Sequence, residues 1–338
     1  MKDIRDKARA RVKSMCRVCP VCDGRACAGE VPGMGGVGSG MSFRNNVTAL
    51  AACRLNMRVL HGANMPDTRC TLWGREMALP VFAGPLGAVA ANIGSGMSDE
   101  EYLGHLINGC VEARTLASTG DQPDIAVFAR LMEKVKGRGK SVVPFIKPWS
   151  NDAVAARMDL AAKAGCGICG VDVDGAGLTA LRSLATPVSV KPAAELAEII
   201  ALAHEREMKF IVKGVMTVDE AVLAADCGAD AVLVSNHGGR VLDHTPGTAE
   251  VLPEIAAAVG ERVVVMVDGG IRTGADVLKV LALGAKAALI CRPVAVMLHG
   301  DEEKGVPAYF AAIQDQLAQA MRLTGCANLD AIDGKVVR

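Results

Sequence analysis

Two kinds of apolar spacing alternate along this chain from about residue 80 onward. Short unbroken runs, PVFAG (80–84), SVVPFI (141–146) and AVLVSN (231–236) among them, read as strands buried on both faces. A half-exposed strand would instead alternate apolar and polar residues. Between the runs, stretches such as TVDEAVLAADCG and TGADVLKVLALGA repeat apolar residues every three to four positions and close on a glycine. That pattern predicts amphipathic helices with glycine caps.

The full strand set adds VEARTL (111–116), GICGVDV (167–173), KFIVKG (209–214), RVVVMVDGG (262–270) and AALICRP (287–293), making eight. A further candidate, TPVSVK (186–191), is assigned to the connection after the fourth strand. Eight strand–helix units and a terminal helix over about 307–325 predict an α/β fold, a (β/α)8 TIM barrel. A doubly wound sheet has the same alternation, and the strand ends separate the two. Asp172 and Asp174, Lys213, Ser235 to Arg240, Asp268 to Arg272, and Cys291 with Arg292 all fall at C-terminal strand ends, where a barrel gathers its site.

Residues 1–48 differ in character. A basic, helix-like start precedes a cysteine cluster and GEVPGMGGVGSGMS, whose six glycines and one proline oppose regular structure. We read 1–48 as a Cys/Gly-rich segment packed on a barrel formed by 49–338.

Composition narrows the function classes. Of 338 residues, 51% are hydrophobic and 3% aromatic, which suits a large core and argues against a nucleic-acid stacking platform. Lys plus Arg equals Asp plus Glu at 37 each, so no net field draws nucleic acid or anionic membrane. No apolar run reaches membrane-spanning length, and the charged start MKDIRDKARARVKSM lacks a signal core. The expected setting is the cytoplasm, with the twelve cysteines read as reduced thiols apart from one cluster taken up below.

The strand ends carry candidate chemistry. DGGIRTG and LICRP follow the seventh and eighth strands, where barrels build phosphate cups: Gly269 and Gly270 let backbone amides approach an anion, and Arg272 and Arg292 add charge. Lys213 closes an apolar strand and points into the mouth, as a Schiff-base former or a fixed cation beside an electron-rich cofactor. His237 is a candidate base, with Arg240 nearby and Asp174 the carboxylate expected to orient it.

Taken together, VKGVMTVDEAVLAADCGADAVLVSNHGGRVLD, LPEI, VDGGIRTGADVLKVLALGA and CRP resemble the FMN-dependent α-hydroxy-acid dehydrogenase and oxidase family, which includes glycolate and lactate oxidases. The likeness is close over about residues 205–330 and looser upstream, through NNVTALAACRLNMRVL, DTRCTLWG and LPVFAGPLG. The resemblance implies FMN, a small-molecule 2-hydroxy acid or related carbinol oxidised to the keto product, and a homo-oligomer, a tetramer or larger. It also assigns roles. Lys213 would lie by the flavin N1 and O2 edge, and Ser235 would contact the cofactor. Asp268, Gly269, Gly270, Ile271, Arg272, Cys291 and Arg292 would hold ribityl chain and phosphate. His237 would take the substrate proton with Asp174 holding its imidazole, and Arg240 would bind the carboxylate; both also face the cofactor.

Departures from the family accompany the matches. PGMGGVGSGM contains no tyrosine where the family has one, and Lys147 or Trp149 stands where a second tyrosine closes strand three. Arg182 is one position away from the family's second carboxylate-binding arginine, the loop after strand four is short, and Cys291 replaces a glycine. The flavin site thus reads as intact and the substrate pocket as rebuilt.

CRVCPVCDGRAC adds a feature that the family does not generally have: Cys16, Cys19, Cys22 and Cys27, spaced C-x2-C-x2-C-x4-C. Such thiolates can converge on zinc or an iron–sulfur cluster, or they can be packed or redox-active thiols. An iron–sulfur centre would make a relay from the flavin and favour a dehydrogenase over an oxidase. Two further readings compete with the oxidoreductase: a flavin-dependent isomerase of the type 2 isopentenyl diphosphate isomerase kind, against which SNHGGR counts, and a flavin-binding electron-transfer protein centred on the cysteines.

Overall fold

In the computed structural model, residues 1–12, 15–178, 181, 184 and 188–338 are described. Eight parallel strands form one sheet: β1 Val81–Ala83, β2 Ala117–Thr119, β3 Val142–Ile146, β4 Ile168–Asp172, β5 Lys209–Val215, β6 Ala231–Val234, β7 Val264–Val267 and β8 Ala287–Ile290. Each strand pairs with its successor from β2 to β8, and β8 returns to β1 with Leu289 opposite Phe82. The remaining seam is closed where the Ala83 amide donates to the Leu116 carbonyl at 2.9 Å. A sheet that meets its own first strand is a barrel, so the doubly wound alternative is excluded.

Side-chain alternation sorts the strands onto two cores. Phe82, Val143, Phe145, Ile168, Ile211, Leu233, Met266 and Leu289 fill the barrel interior. Their neighbours Val142, Ile146, Val171, Val212, Val232, Val234, Val265 and Ile290 face the surrounding helices. Both faces are buried, which is why the strands read as unbroken apolar runs. A hairpin, Cys70–Leu72 with Arg75–Met77, places Met77 in the interior cluster and packs Leu72 and Trp73 against it.

Seven of the eight predicted strands fall where expected. The exception is VEARTL: the helix Asp99–Glu112 runs through Val111 and Glu112, and the strand is Ala117–Thr119. A Ser98/Glu101 capping box starts that helix, and Leu103, Leu106, Ile107 and Cys110 carry its buried face through the last turn. The true strand consists of small or polar residues that are buried by position, with no apolar run to announce them. The predicted terminal helix is Gly305–Thr324.

The candidate strand TPVSVK begins outside the described residues, as does Arg182, and 188–191 has no regular structure. Among the described residues no helix is long and apolar enough to cross a membrane. Ahead of the barrel, helix Lys2–Arg11 lies on helix Arg292–Gly300, where Arg11 Nη1 donates to the His299 carbonyl at 3.3 Å. Residues 29–39 contain no helix or strand, and helix Met41–Ala52 follows.

Candidate active site

The C-terminal strand ends converge on one cavity. Its lining includes Lys213 from β5, His237, Gly238 and Arg240 after β6, Asp268 to Arg272 after β7, and Cys291 and Arg292 after β8. At its centre the His237 Nδ1 lies 3.0 Å from Asp174 Oδ1. With Nδ1 so occupied, Nε2 is the nitrogen left to exchange a proton.

Local backbone geometry aims these groups. His237, Gly238 and Gly239 all take left-handed φ, at 55°, 65° and 80°. Only glycine adopts that conformation cheaply, so the two glycines absorb a reversal that begins at the histidine. Gly238 has a second constraint, because a Cβ there would collide with the Arg292 guanidinium. On β5 the register slips between Lys213 and Val215, and Gly214 at φ 107° forms the bulge. A side chain at 214 would occupy the space filled by the Asp174 carboxylate.

Charge in the site is dense and buried. The Asp172 carboxylate lies between two ammoniums, 2.5 Å from Lys147 Nζ and 3.1 Å from Lys213 Nζ, and Lys213 is 3.9 Å from Asp174. Burial by itself would raise Asp172, but Lys147 and Lys213 outweigh it and hold this carboxyl below the usual range. Burial pushes Asp174 up to about 6 against the pull of Lys213, with the Asp172 charge adding to the rise. Burial, then the Lys213 and Lys147 charges, push His237 well below its ordinary value, so the imidazole is neutral near pH 7. Desolvation and the Arg292 charge bring Arg240 down to about 10, which leaves it cationic.

The remaining predicted residues are also in place. The Ser235 hydroxyl accepts from the His237 amide at 3.1 Å. Arg240 Nη2 donates to Asn92 Oδ1 at 2.6 Å, and that oxygen also receives the Gly33 amide at 3.2 Å. Arg292 stacks on Phe43, 4.1 Å from its centroid, and donates to the carbonyls of Met34 and Gly238. The Cys291 thiol donates to the Pro85 carbonyl at 3.4 Å. Among the described residues, Arg240 Nε, Asp268 Oδ1 and Arg272 Nε are buried without a hydrogen-bond partner. Unpaired buried donors and an acceptor at a pocket wall are what a polar, anionic cofactor with hydroxyl groups would satisfy.

Several positions depart from simple expectation. Lys147 is tied to Asp172, and Trp149 Nε1 donates to Asp121 Oδ2 at 2.6 Å, so both side chains at the end of β3 are engaged with carboxylates. Asp121 also receives Arg157 Nε at 2.9 Å and the Lys147 amide at 3.0 Å, giving that end of the barrel a buried ionic frame. Asp172, Asp174 and His237 bring ligand atoms within 4.8 Å of one another, but the two lysines beside them oppose a metal cation. Cys16, Cys19, Cys22 and Cys27 are free and half-buried around a neighbouring cavity. No three of them lie within 4.8 Å of one another.

Sequence reasoning passed over Asn92 and Asp121. Asn92 sits in AANIG, where nothing in the local pattern marks it, and Asp121 lies in a loop. Both are buried, Asn92 at 9% and Asp121 at 5% exposure, which only the structure shows.

Comparison with known proteins matches this arrangement to one family. The family described as FMN-dependent dehydrogenase matches residues 33–182 and 179–338. Human 2-hydroxyacid oxidase 1 is 41% identical over 165 residues, 49% of this chain and 44% of that protein. An L-lactate dehydrogenase of Caulobacter sp. (strain K31) is 46% identical over 127 residues, 38% of this chain and 33% of that protein. The matched stretch thus spans less than half the length of either relative. A solved structure of mandelate oxidase with (S)-2-phenylpropionate has a TM-score of 0.77 at 24% identity and covers 100% of this chain and 97% of its own. That likeness shows the fold.

Proposed function

This chain belongs to the FMN-dependent dehydrogenase family, and on that premise we propose that it oxidises a small 2-hydroxy acid, or a related carbinol, to the keto product. The observation that carries the reading is the buried His237–Asp174 pair beside Lys213 and Arg240 in the barrel mouth.

The residues present fit FMN. Arg272 and Arg292, with the turn at Gly269 and Gly270, offer cationic and amide donors for a phosphate, and the unpaired Asp268 Oδ1 accepts from hydroxyls. Lys213 supplies a fixed cation that its neighbouring carboxylates hold in the charged form. Bound FMN would supply the two-electron acceptor that no side chain can provide.

The substrate's polar groups have matching partners. The Arg240 guanidinium, held by Asn92, is the fork for a carboxylate. His237 Nε2 takes the proton from substrate, and the Asp174 carboxylate 3.0 Å from Nδ1 steadies the imidazolium that forms. The ionic frame of Asp121, Arg157, Lys147 and Asp172 stands where the resemblance leads one to expect a tyrosine, which favours a substrate range different from that of relatives with the tyrosine.

Anaerobic titration of the yellow protein with glycolate, lactate and mandelate, followed by flavin absorbance, tests the reading. Bleaching by at least one 2-hydroxy acid is expected. Flavin-loaded protein that none of a broad 2-hydroxy-acid panel reduces would overturn it. A homo-oligomeric assembly, implied by the family resemblance, belongs to the same proposal and is checked by sedimentation.

A further inference from the structure

The loop that carries the cysteine cluster has little scaffold of its own. Among the described residues, no backbone N–H from Cys16 to Gly24 donates to a backbone carbonyl. Its carbonyls are instead drawn toward the first helix: Arg9 takes Val18 at 2.8 Å, and Arg5 takes Cys19 and, at 3.2 Å, Pro20. Because C=O and N–H point oppositely across a trans peptide, this turns the Cys19 and Val21 amides away from those arginines. Val18 is buried and takes left-handed φ at 47°. A loop without backbone hydrogen bonds of its own needs another organiser.

The four thiols share a surrounding. Cys16, Cys19, Cys22 and Cys27 line one cavity of about 380 Å3 together with Arg5, Arg17, Arg272 and Arg292. None is in a disulfide. Arg272 Nη2 is 3.7 Å from Cys22 Sγ, and Gly24 at φ 81° turns the chain between the third and fourth cysteines. Met34, Arg272 and Arg292 also line the barrel-mouth cavity, so the two cavities share a wall.

We propose that Cys16, Cys19, Cys22 and Cys27 bind a four-iron, four-sulfide cluster as thiolates, seated against Arg272 and Arg292 on the wall shared with the barrel mouth. Three cysteines at two-residue spacing can wrap one cluster, and the fourth, after a longer step past Gly24, supplies the remaining ligand. A mononuclear zinc tetrathiolate, with Zn–S of about 2.3 Å, gathers its sulfurs more closely than the 4.8 Å within which no three of these meet. A cluster spreads its thiolates across a larger body. The thiolates carry net negative charge even after the core is counted, and Arg5, Arg272 and Arg292 on the cavity wall offset it, Arg17 being paired with Glu30. The inference makes no assumption about the barrel's substrate.

Full-length protein purified without oxygen, or reconstituted with ferrous iron and sulfide, is assayed for iron, acid-labile sulfide and flavin, with electron paramagnetic resonance after dithionite reduction. We expect about four irons and as many sulfides per chain, with a paramagnetic signal on reduction. Cys19→Ser and Cys27→Ser should each lower iron content by more than about tenfold while flavin content stays at the native level. Cys53→Ser, which lies outside the cavity, should retain the iron. If a serine variant does not fold, thiol labelling of the native chain gives the same answer: four thiols become reactive only after iron chelation. Zinc in place of iron, iron absent after reconstitution, or iron retained in both serine variants each overturn the proposal. Flavin content and bleaching, read on the same samples, report the oxidoreductase reading separately.

Discussion

His237 Nδ1 lies 3.0 Å from Asp174 Oδ1, although the two residues follow different strands, β6 and β4. The bond is buried, with the side chains 11% and 8% exposed. The pair fixes the tautomer and orientation of a neutral imidazole, which is the state a base must occupy before it acts.

Replacing His237 with Ala should slow anaerobic flavin reduction by about 10²–10⁴-fold, the range a positioned base contributes. Flavin content should not change. Asp174→Asn should produce a smaller loss, since Nε2 remains. Stopped-flow reduction at saturating substrate measures both, and a native rate in His237→Ala removes the residue from the chemistry.

The pH dependence follows from the direction of the shifts. Burial and the neighbouring cations lower His237, so the active neutral form persists above the dyad's titration and is lost as protons bind below it. Asp174 is raised to about 6, so kcat/KM should be level from neutrality upward and fall below about pH 6. Lys147→Met removes one of the charges that lower His237, and the acid limb should move to higher pH. A limb that stays put or moves down contradicts this electrostatic account.

Lys147 and Asp172 form a buried pair at 2.5 Å, with side chains 10% and 2% exposed. Removing one charge of such a pair costs roughly 3–5 kcal/mol, and Lys147→Met should fall near the lower end because Lys213 still faces Asp172. The double variant Lys147→Met/Asp172→Asn should recover part of the loss. Denaturant titration of the single and double variants gives the coupling, and additive losses would mean that the pair is not energetically linked.

Gly238 combines φ 65° with a close approach to the Arg292 guanidinium. Gly238→Ala should cost about 1–2 kcal/mol in backbone strain and weaken FMN binding by displacing Arg292. Flavin affinity and thermal midpoint are the measurements, and native flavin affinity would separate Arg292 from the cofactor.

The barrel was legible because its strands are buried on both faces and its helices are amphipathic, two spacings that differ even in one sequence. Where burial came without an apolar pattern, as in Ala117–Thr119, the reading shifted the strand into the preceding helix. The polar strand ends were legible for a related reason. Lys213, His237, Asp268 and Arg292 interrupt runs that otherwise avoid charge.

The sequence by itself determined the strand count, the convergence of polar residues at one end and the family likeness, because each depends on local pattern. Only the tertiary structure decided that Lys147 is locked to Asp172, that Asn92 holds Arg240, and that the cysteine loop abuts Arg272 and Arg292. The reason is physical. Those partners are separated by 25, 148 and about 250 residues, and pairing at such distance depends on where closure of the barrel puts the strand ends.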